Sequence, residues 1–350
     1  MNRFALRLAA AAAATLIGQG AAFAQAIIQN SQVQLGVGQF GALNVNGGTA
    51  STGDGTSVVG LRSVRTNSDS TSPGCQCEGW GVGLRSTGAF GASNNSVGGV
   101  QNLSLVSFTS TASTAVSVVD MAGGLRVTHD YHPIAGTPYL YEVTVTIKNN
   151  TGADLAAGDL VYRRVMDWDI PTPGYEMVSI QGVPAAMGLA NGSNIYRTDN
   201  NGFNDGNPFS FSSFGLLNTN FVNATGDIGA LFDFEFEALA NGASRIFNTY
   251  YGVAPTKALA DAARSLVDGD ASDVDIGLYS YGTCGSGVVG ADACSATDGG
   301  PDWFIFGFGA VDGRFVDPDP TPASEPGILA LLGLALAGGS WASRRRKTQA

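Results

Sequence analysis

Asp167 and Asp169 stand two residues apart near the end of the run Leu160-Val161-Tyr162-Arg163-Arg164-Val165-Met166-Asp167-Trp168-Asp169. If that run is a β-strand, both carboxylates project on the face of Arg163 and Val165, while Arg164, Met166 and Trp168 project on the other. Two carboxylates on one face suit the acid and base of glycoside hydrolysis, or the ligation of calcium. The simpler arrangement is an ion-pair cluster with Arg163. Two Asx-rich loops offer further oxygens for calcium: residues 199–207, with Asp199, Asn201 and Asp205, and residues 268–275, with Asp268, Asp270 and Asp273. Neither has EF-hand spacing, because the closing Glu is missing, and Asx-rich turns also form for conformational reasons. Both histidines of the chain lie in His129-Asp130-Tyr131-His132. Positions i and i+3 of a strand face opposite ways, so a shared metal needs a turn at Pro133, and ordinary strand-end histidines are expected instead.

Beyond these groups the chain has no phosphate-binding loop, no GxSxG, no HExxH and no c-type haem motif. Most enzyme classes therefore lose their usual support, and no cofactor other than calcium is suggested. The even set Cys75, Cys77, Cys284 and Cys294 points to disulfides in an exported chain. Cys284 and Cys294 flank a glycine-rich loop that a hairpin staple closes easily, which leaves Cys75 with Cys77 in a tight ring; cross-pairing of the two groups is the alternative. The Cys-x-Cys and Cys-x9-Cys spacings match no common zinc framework.

The elements that position these groups read as strands. Period-2 alternation recurs between Gly, Asn, Asp and Pro breaks, most clearly in YLYEVTVTIK at 139–148, where Tyr141, Val143, Val145 and Ile147 share one face. Further strands are expected at 57–63, 103–109, 115–120, 125–131, 160–169, 176–181, 228–237, 244–253, 276–281 and 303–311. One internal helix is expected over 256–267, with Ala258, Leu259, Ala262, Ala263, Leu266 and Val267 as its apolar stripe. The fold class is therefore all-β, a mainly antiparallel β-sandwich with one short helix. Residues 25–316 form this ectodomain, with 25–102 richer in Gly, Ser and Asn and looser than the core at 103–316.

Both ends carry addresses. Residues 1–24 have Arg3 and Arg7, an alanine-rich apolar stretch and small residues at Ala22 and Ala24, the pattern of a secretory signal peptide cut between Ala24 and Gln25. The Sec export machinery is the implied partner. The opposite end has a stiff linker, Asp317-Pro318-Asp319-Pro320-Thr321-Pro322, then Glu325-Pro326, an uncharged run at 327–342 and Arg344-Arg345-Arg346-Lys347. That run, at roughly 24 Å as a helix, is at the short end for a transmembrane span. The cations behind it would stay cytoplasmic and the ectodomain outside. Without the two ends the chain keeps 12 of its 18 basic and 28 of its 29 acidic residues, a net charge of −16. Such an acidic surface argues against nucleic acid as a partner.

The order Glu-Pro, short apolar helix and arginine cluster resembles the PEP-CTERM sorting signal of Gram-negative bacteria, also called the ice-binding protein C-terminal domain, over residues 324–347. That resemblance implies recognition by an exosortase-like membrane protease, cleavage near Glu325-Pro326, and delivery to the cell surface or an exopolysaccharide matrix. A plain membrane anchor is the alternative. Cys75-Gln76-Cys77-Glu78-Gly79-Trp80-Gly81, the run 162–169, Asn201-Gly202-Phe203 and Phe304-Ile305-Phe306-Gly307-Phe308 resemble uncharacterised modules found with this tail, and no activity follows from them. The expected function is that of an exported structural or interaction protein of the surface or matrix. The alternative is a carbohydrate-active enzyme or glycan-binding module, with Asp167 and Asp169 as its acids and Trp80 or Trp168 as a sugar platform.

Overall fold

The computed structural model describes residues 24–170, 176–267, 278–285, 301–309 and 315–316. The signal-like residues 1–23, the loop with Asp268, Asp270 and Asp273, Cys294, the linker and the sorting tail lie outside them. Among the described residues no helix is long and apolar enough to cross a membrane.

The chain opens with strands β1 (Gln25–Gln29), β2 (Val33–Gly38), β3 (Leu61–Ser63), β4 (Gly79–Leu84), β5 (Ala89–Asn94) and β6 (Gly99–Gln101). There follow β7 (Leu103–Ser110), β8 (Ala115–Met121), β9 (Leu125–Pro133), β10 (Leu140–Asn149), β11 (Leu160–Asp167) and β12 (Glu176–Gln181). Next are β13 (Ile195–Asp199), β14 (Phe221–Thr225), β15 (Gly229–Glu235) and β16 (Ser244–Ala254), then helix α1 (Lys257–Val267). The last strands are β17 (Tyr279–Cys284), β18 (Trp303–Gly309) and β19 (Phe315–Val316).

These make three sheets, and their described pairings are antiparallel. A ten-stranded sheet runs β14-β12-β17-β18-β16-β10-β9-β8-β7, with β19 beside β16; a six-stranded sheet runs β13-β15-β11-β4-β5-β6; and β1-β2-β3 form a small third sheet. The two large sheets face each other as a sandwich. Period-2 alternation explains why: β10 buries Tyr141, Val143, Val145 and Ile147 and leaves Glu142, Thr144 and Thr146 half-exposed on the other face. Across the gap Phe232 and Phe234 of β15 meet Phe306 and Phe308 of β18, and Tyr162 of β11 meets Phe247 of β16, with ring centroids 4.9–5.5 Å apart. Such tilted and edge-on contacts join the sheets through aromatic area and quadrupole geometry together.

Two expectations about the elements need correction. The stretch expected to be looser supplies β4, which is buried at every position and sits inside the six-stranded sheet between β11 and β5. Helix α1, started by a hydrogen bond from the Leu259 N–H to the Thr256 hydroxyl, docks on Ala260 and Ala263, against Leu140, Tyr250 and Ile305. Its Leu259 and Leu266 are exposed. Two methyl-sized side chains allow the helix axis to approach the sheet more closely than the leucine face would.

A polar network is sealed within the sandwich. Arg164 donates from Nε to Glu78 Oε1 at 2.6 Å and from Nη2 to the Tyr131 hydroxyl at 3.2 Å. Glu78 also accepts from the Tyr251 hydroxyl at 2.7 Å and from the Leu43 N–H at 2.6 Å. His129 Nε2 lies 3.0 Å from the Tyr162 hydroxyl, and its ring is 4.5 Å from that of Trp80. Burial, and then the Arg164 charge, hold His129 well below the usual imidazole range, so it is neutral. His129 is thus a core residue in mid-strand rather than a strand-end histidine. Since β9 continues through Pro133, His132 points the opposite way, towards Glu142.

Candidate functional site

Strand β11 ends at Asp167, which is in register with Gly229, the first residue of β15. Two residues on, the Asp169 N–H donates to the Ser70 carbonyl at 2.8 Å, and the Asp169 carboxylate takes a hydrogen bond from the Cys75 backbone. Asp227 lies in the turn before β15. Glu176 opens β12 in the opposite sheet and accepts the Ile228 N–H at 3.0 Å. Pairing of β11 with β15, stacked on β12, therefore gathers four carboxylates at one end of the sandwich. One oxygen each from Asp167, Asp169 and Asp227 lies within 4.8 Å of the others.

Burial grades across the group. Asp167 is 1% exposed, Asp169 is half-buried and Asp227 is open to solvent. Both carboxylate oxygens of Asp167, and Oδ2 of Asp169, are buried without a hydrogen-bond partner among the described residues. Glycine makes this enclosure close-fitting: a methyl group on Gly202 would fall 2.5 Å from Asp167 Cα and 2.7 Å from its Oδ1, and one on Gly229 would strike the Met166 carbonyl.

Arg163 does not neutralise the cluster, contrary to the ion-pair expectation. It forks onto Asp233, directly across from it on β15, with Nε–Oδ1 at 2.7 Å and Nη2–Oδ2 at 2.8 Å. An arginine chooses the partner that its planar fork fits, and the register supplies Asp233 for it.

The charges acting on Asp167 are accordingly all negative. Desolvation, then Asp169, Asp227 and Glu176, push its carboxyl up to about 9. Desolvation, then Glu176 and Asp227, push Asp169 up to about 8, against the Cys75 hydrogen bond. Desolvation raises Glu176 to about 7, opposed by the Ile228 N–H. Carboxyls whose folded values lie above their unfolded values stabilise the fold while protonated, and that contribution is lost as pH rises. In chelator-treated buffer the melting temperature is expected to fall by several degrees as pH rises through the window from about 4 to about 9. Asp167→Asn should flatten that slope, as thermal unfolding at a series of pH values will measure.

The other candidate residues divide. In the 199–207 loop, Asp199 Oδ1 accepts the Asn201 and Phe214 N–H groups, Asn201 Oδ1 accepts the Phe203 N–H and Asp205 Oδ1 accepts the Asn207 N–H. Asp199 Oδ2 accepts the Ser213 hydroxyl at 2.5 Å. These oxygens shape and pin the loop rather than converge on a cation. Trp80 and Trp168 are fully buried and present no ring to a sugar. Cys75 and Cys77 form a disulfide with Cα atoms 5.2 Å apart, which removes the cross-paired arrangement and a four-cysteine zinc site. Cys284 is also disulfide-bonded, and its expected partner Cys294 lies outside the described residues.

Two groups at the centre, Asp227 and Glu176, were not read from the sequence. Asp227 follows Gly226 in an ordinary turn, and Glu176 stands at a strand start; only sheet pairing and stacking bring them to Asp167. Chemically, four carboxylates without a counter-cation can share protons or hold a metal ion. An acid–base pair for glycoside hydrolysis needs both carboxyls open to a sugar, which Asp167 is not. An open cleft of about 410 Å³, bordered by Gln25, Phe40 and Val100, contains none of these carboxylates. Compared with known proteins, the chain matches no family model and no curated protein.

Proposed function

We propose that this chain is an exported structural or interaction protein of the cell surface or exopolysaccharide matrix, carried there by a signal peptide and released from its C-terminal tail by an exosortase-like protease. The observation that carries the reading is the state of the cysteines: Cys75, Cys77 and Cys284 are all in disulfides, as expected in an oxidising compartment. The signal-like residues 1–24 and the Glu325-Pro326, apolar and arginine series at the other end support the same route. Broad sheets around a buried, largely aromatic core suit a durable envelope component. The acidic balance of the mature chain suits solubility and cation-rich surroundings rather than a nucleic-acid partner.

The test is intact mass and cell fractionation of the native protein, with and without the exosortase-like protease. A product starting at Gln25 and ending near Glu325, lost when the protease is absent, is the expected result. A full-length tail retained in the membrane of both strains would make the tail an ordinary anchor.

A further inference from the structure

We infer that Asp167, Asp169 and Asp227, with Glu176 beside them, form a binding site for one divalent cation of the calcium class. The inference concerns the fold itself and stands whichever compartment receives the protein.

The distances allow it. Calcium takes oxygen ligands at about 2.3–2.6 Å, so two oxygens on one ion are at most roughly 5 Å apart. The three aspartate oxygens already lie within 4.8 Å of one another. At that upper limit a common centre lies about 2.8 Å from each oxygen, so side-chain shifts of a few tenths of an ångström bring all three into range with the strands in place.

The state of Asp167 asks for it. Buried carboxylates in folded proteins are paired, hydrogen-bonded or bound to metal. Asp167 is 1% exposed, neither of its oxygens has a hydrogen-bond partner among the described residues, and its neighbours in charge there are other acids. The cation on its own strand face, Arg163, is committed to Asp233 with both side chains fully buried. What is missing beside Asp167 among the described residues is positive charge, and the third carboxylate of the group, Asp227, is exposed to solvent.

The donor set narrows the ion. All the ligating groups are carboxylates, which suit hard cations; His129 and His132 lie elsewhere, and the described cysteines are in disulfides, so the nitrogen and sulfur ligands that zinc and copper favour are lacking among the described residues. Exposed Asp227 leaves room for the waters that complete a shell of six to eight oxygens. Because β11 and β15 belong to one sheet and β12 to the other, an ion touching Glu176 as well would fasten the two layers at this end.

The test uses the purified full-length protein, stripped with EDTA and desalted at neutral pH. Calorimetric titration with calcium chloride and thermal unfolding in calcium, magnesium or EDTA are the readouts. One calcium per chain at this site, with a melting temperature raised by several degrees over the EDTA sample, is expected. Asp167→Asn should stay folded in EDTA, melting no lower than the unsubstituted chain, and should lose at least tenfold in calcium affinity. Asp270→Asn, in the separate 268–275 loop, should leave that affinity unchanged. No binding heat and no melting shift at millimolar calcium would overturn the inference, leaving protons as what neutralises the cluster. Calcium binding lost in Asp270→Asn but kept in Asp167→Asn would overturn it equally, and an equal response to magnesium would overturn the assignment to calcium.

Discussion

Arg164→Met is expected to cost about 3–5 kcal/mol, a large part of the stability of a domain this size, because it strands a buried anion. Glu78 and Arg164 are both fully buried, and among the described residues the guanidinium is the only cation that Glu78 contacts. The methionine would fill much of the arginine stem's volume while leaving Glu78 with two neutral donors, the Tyr251 hydroxyl and the Leu43 N–H. Those bonds cannot replace a full charge in a dry interior. The penalty should reach beyond one strand, since Glu78 joins the segment before β4 to the Leu43 region and to β16, while Arg164 joins β11 to β9. Chemical unfolding of the single variant and of Glu78→Gln with Arg164→Met measures it. The double variant should recover more than half of the loss, because no uncompensated charge remains. A single variant within about 1 kcal/mol of the parent would refute the assigned role.

The same network shows where sequence reading stops. Strands with one apolar and one polar face were legible almost to the residue: β8, β9, β10, β12 and β16 lie where their alternation puts them. Strands β4 and β5 were not. In Gly79-Trp80-Gly81-Val82-Gly83-Leu84 the outward positions are glycines, because the 205–210 segment lies directly against Gly81 and Gly83, and Ser93 and Asn94 crowd Gly79. With no side chain on one face, the pattern resembles a loop. The site was half legible for a related reason. The spacing of Asp167 and Asp169 is local and readable, whereas Asp227 and Glu176 arrive through pairing with β15 and stacking of β12, and register is not a local property. Arg163 illustrates this most directly: its partner was expected along its own strand, and the register delivered Asp233 from across it.

That cross-strand pair is also a clamp, and cutting it should give the second large effect. Arg163 spends two nitrogens on Asp233 and a third, Nη1, on the carbonyls of Asp205, Asn207 and Ser210 at 3.1, 2.7 and 2.6 Å. One guanidinium thus holds down the segment that covers the outer face of β4 and β11. Arg163→Met removes the pair and all three carbonyl contacts. Asp233 keeps an ion pair with Arg197 at 3.1 Å, so the loss should lie towards the lower end of about 3–5 kcal/mol. Arg163→Lys should recover little, because an ammonium cannot fork onto Asp233 and reach the carbonyls together. The two arginine variants should differ in kind. Arg164→Met weakens the whole sandwich, whereas Arg163→Met should first open residues 205–214, seen as faster amide exchange and earlier proteolysis there while β9, β10 and β16 keep their protection. Gly202, which closes over Asp167, lies just before that covering segment, so the opening should also loosen the acidic cluster and lower its calcium affinity. Unchanged exchange across 205–214 in Arg163→Met would mean that the Asn201, Asn204 and Asp199 turns hold the segment unaided.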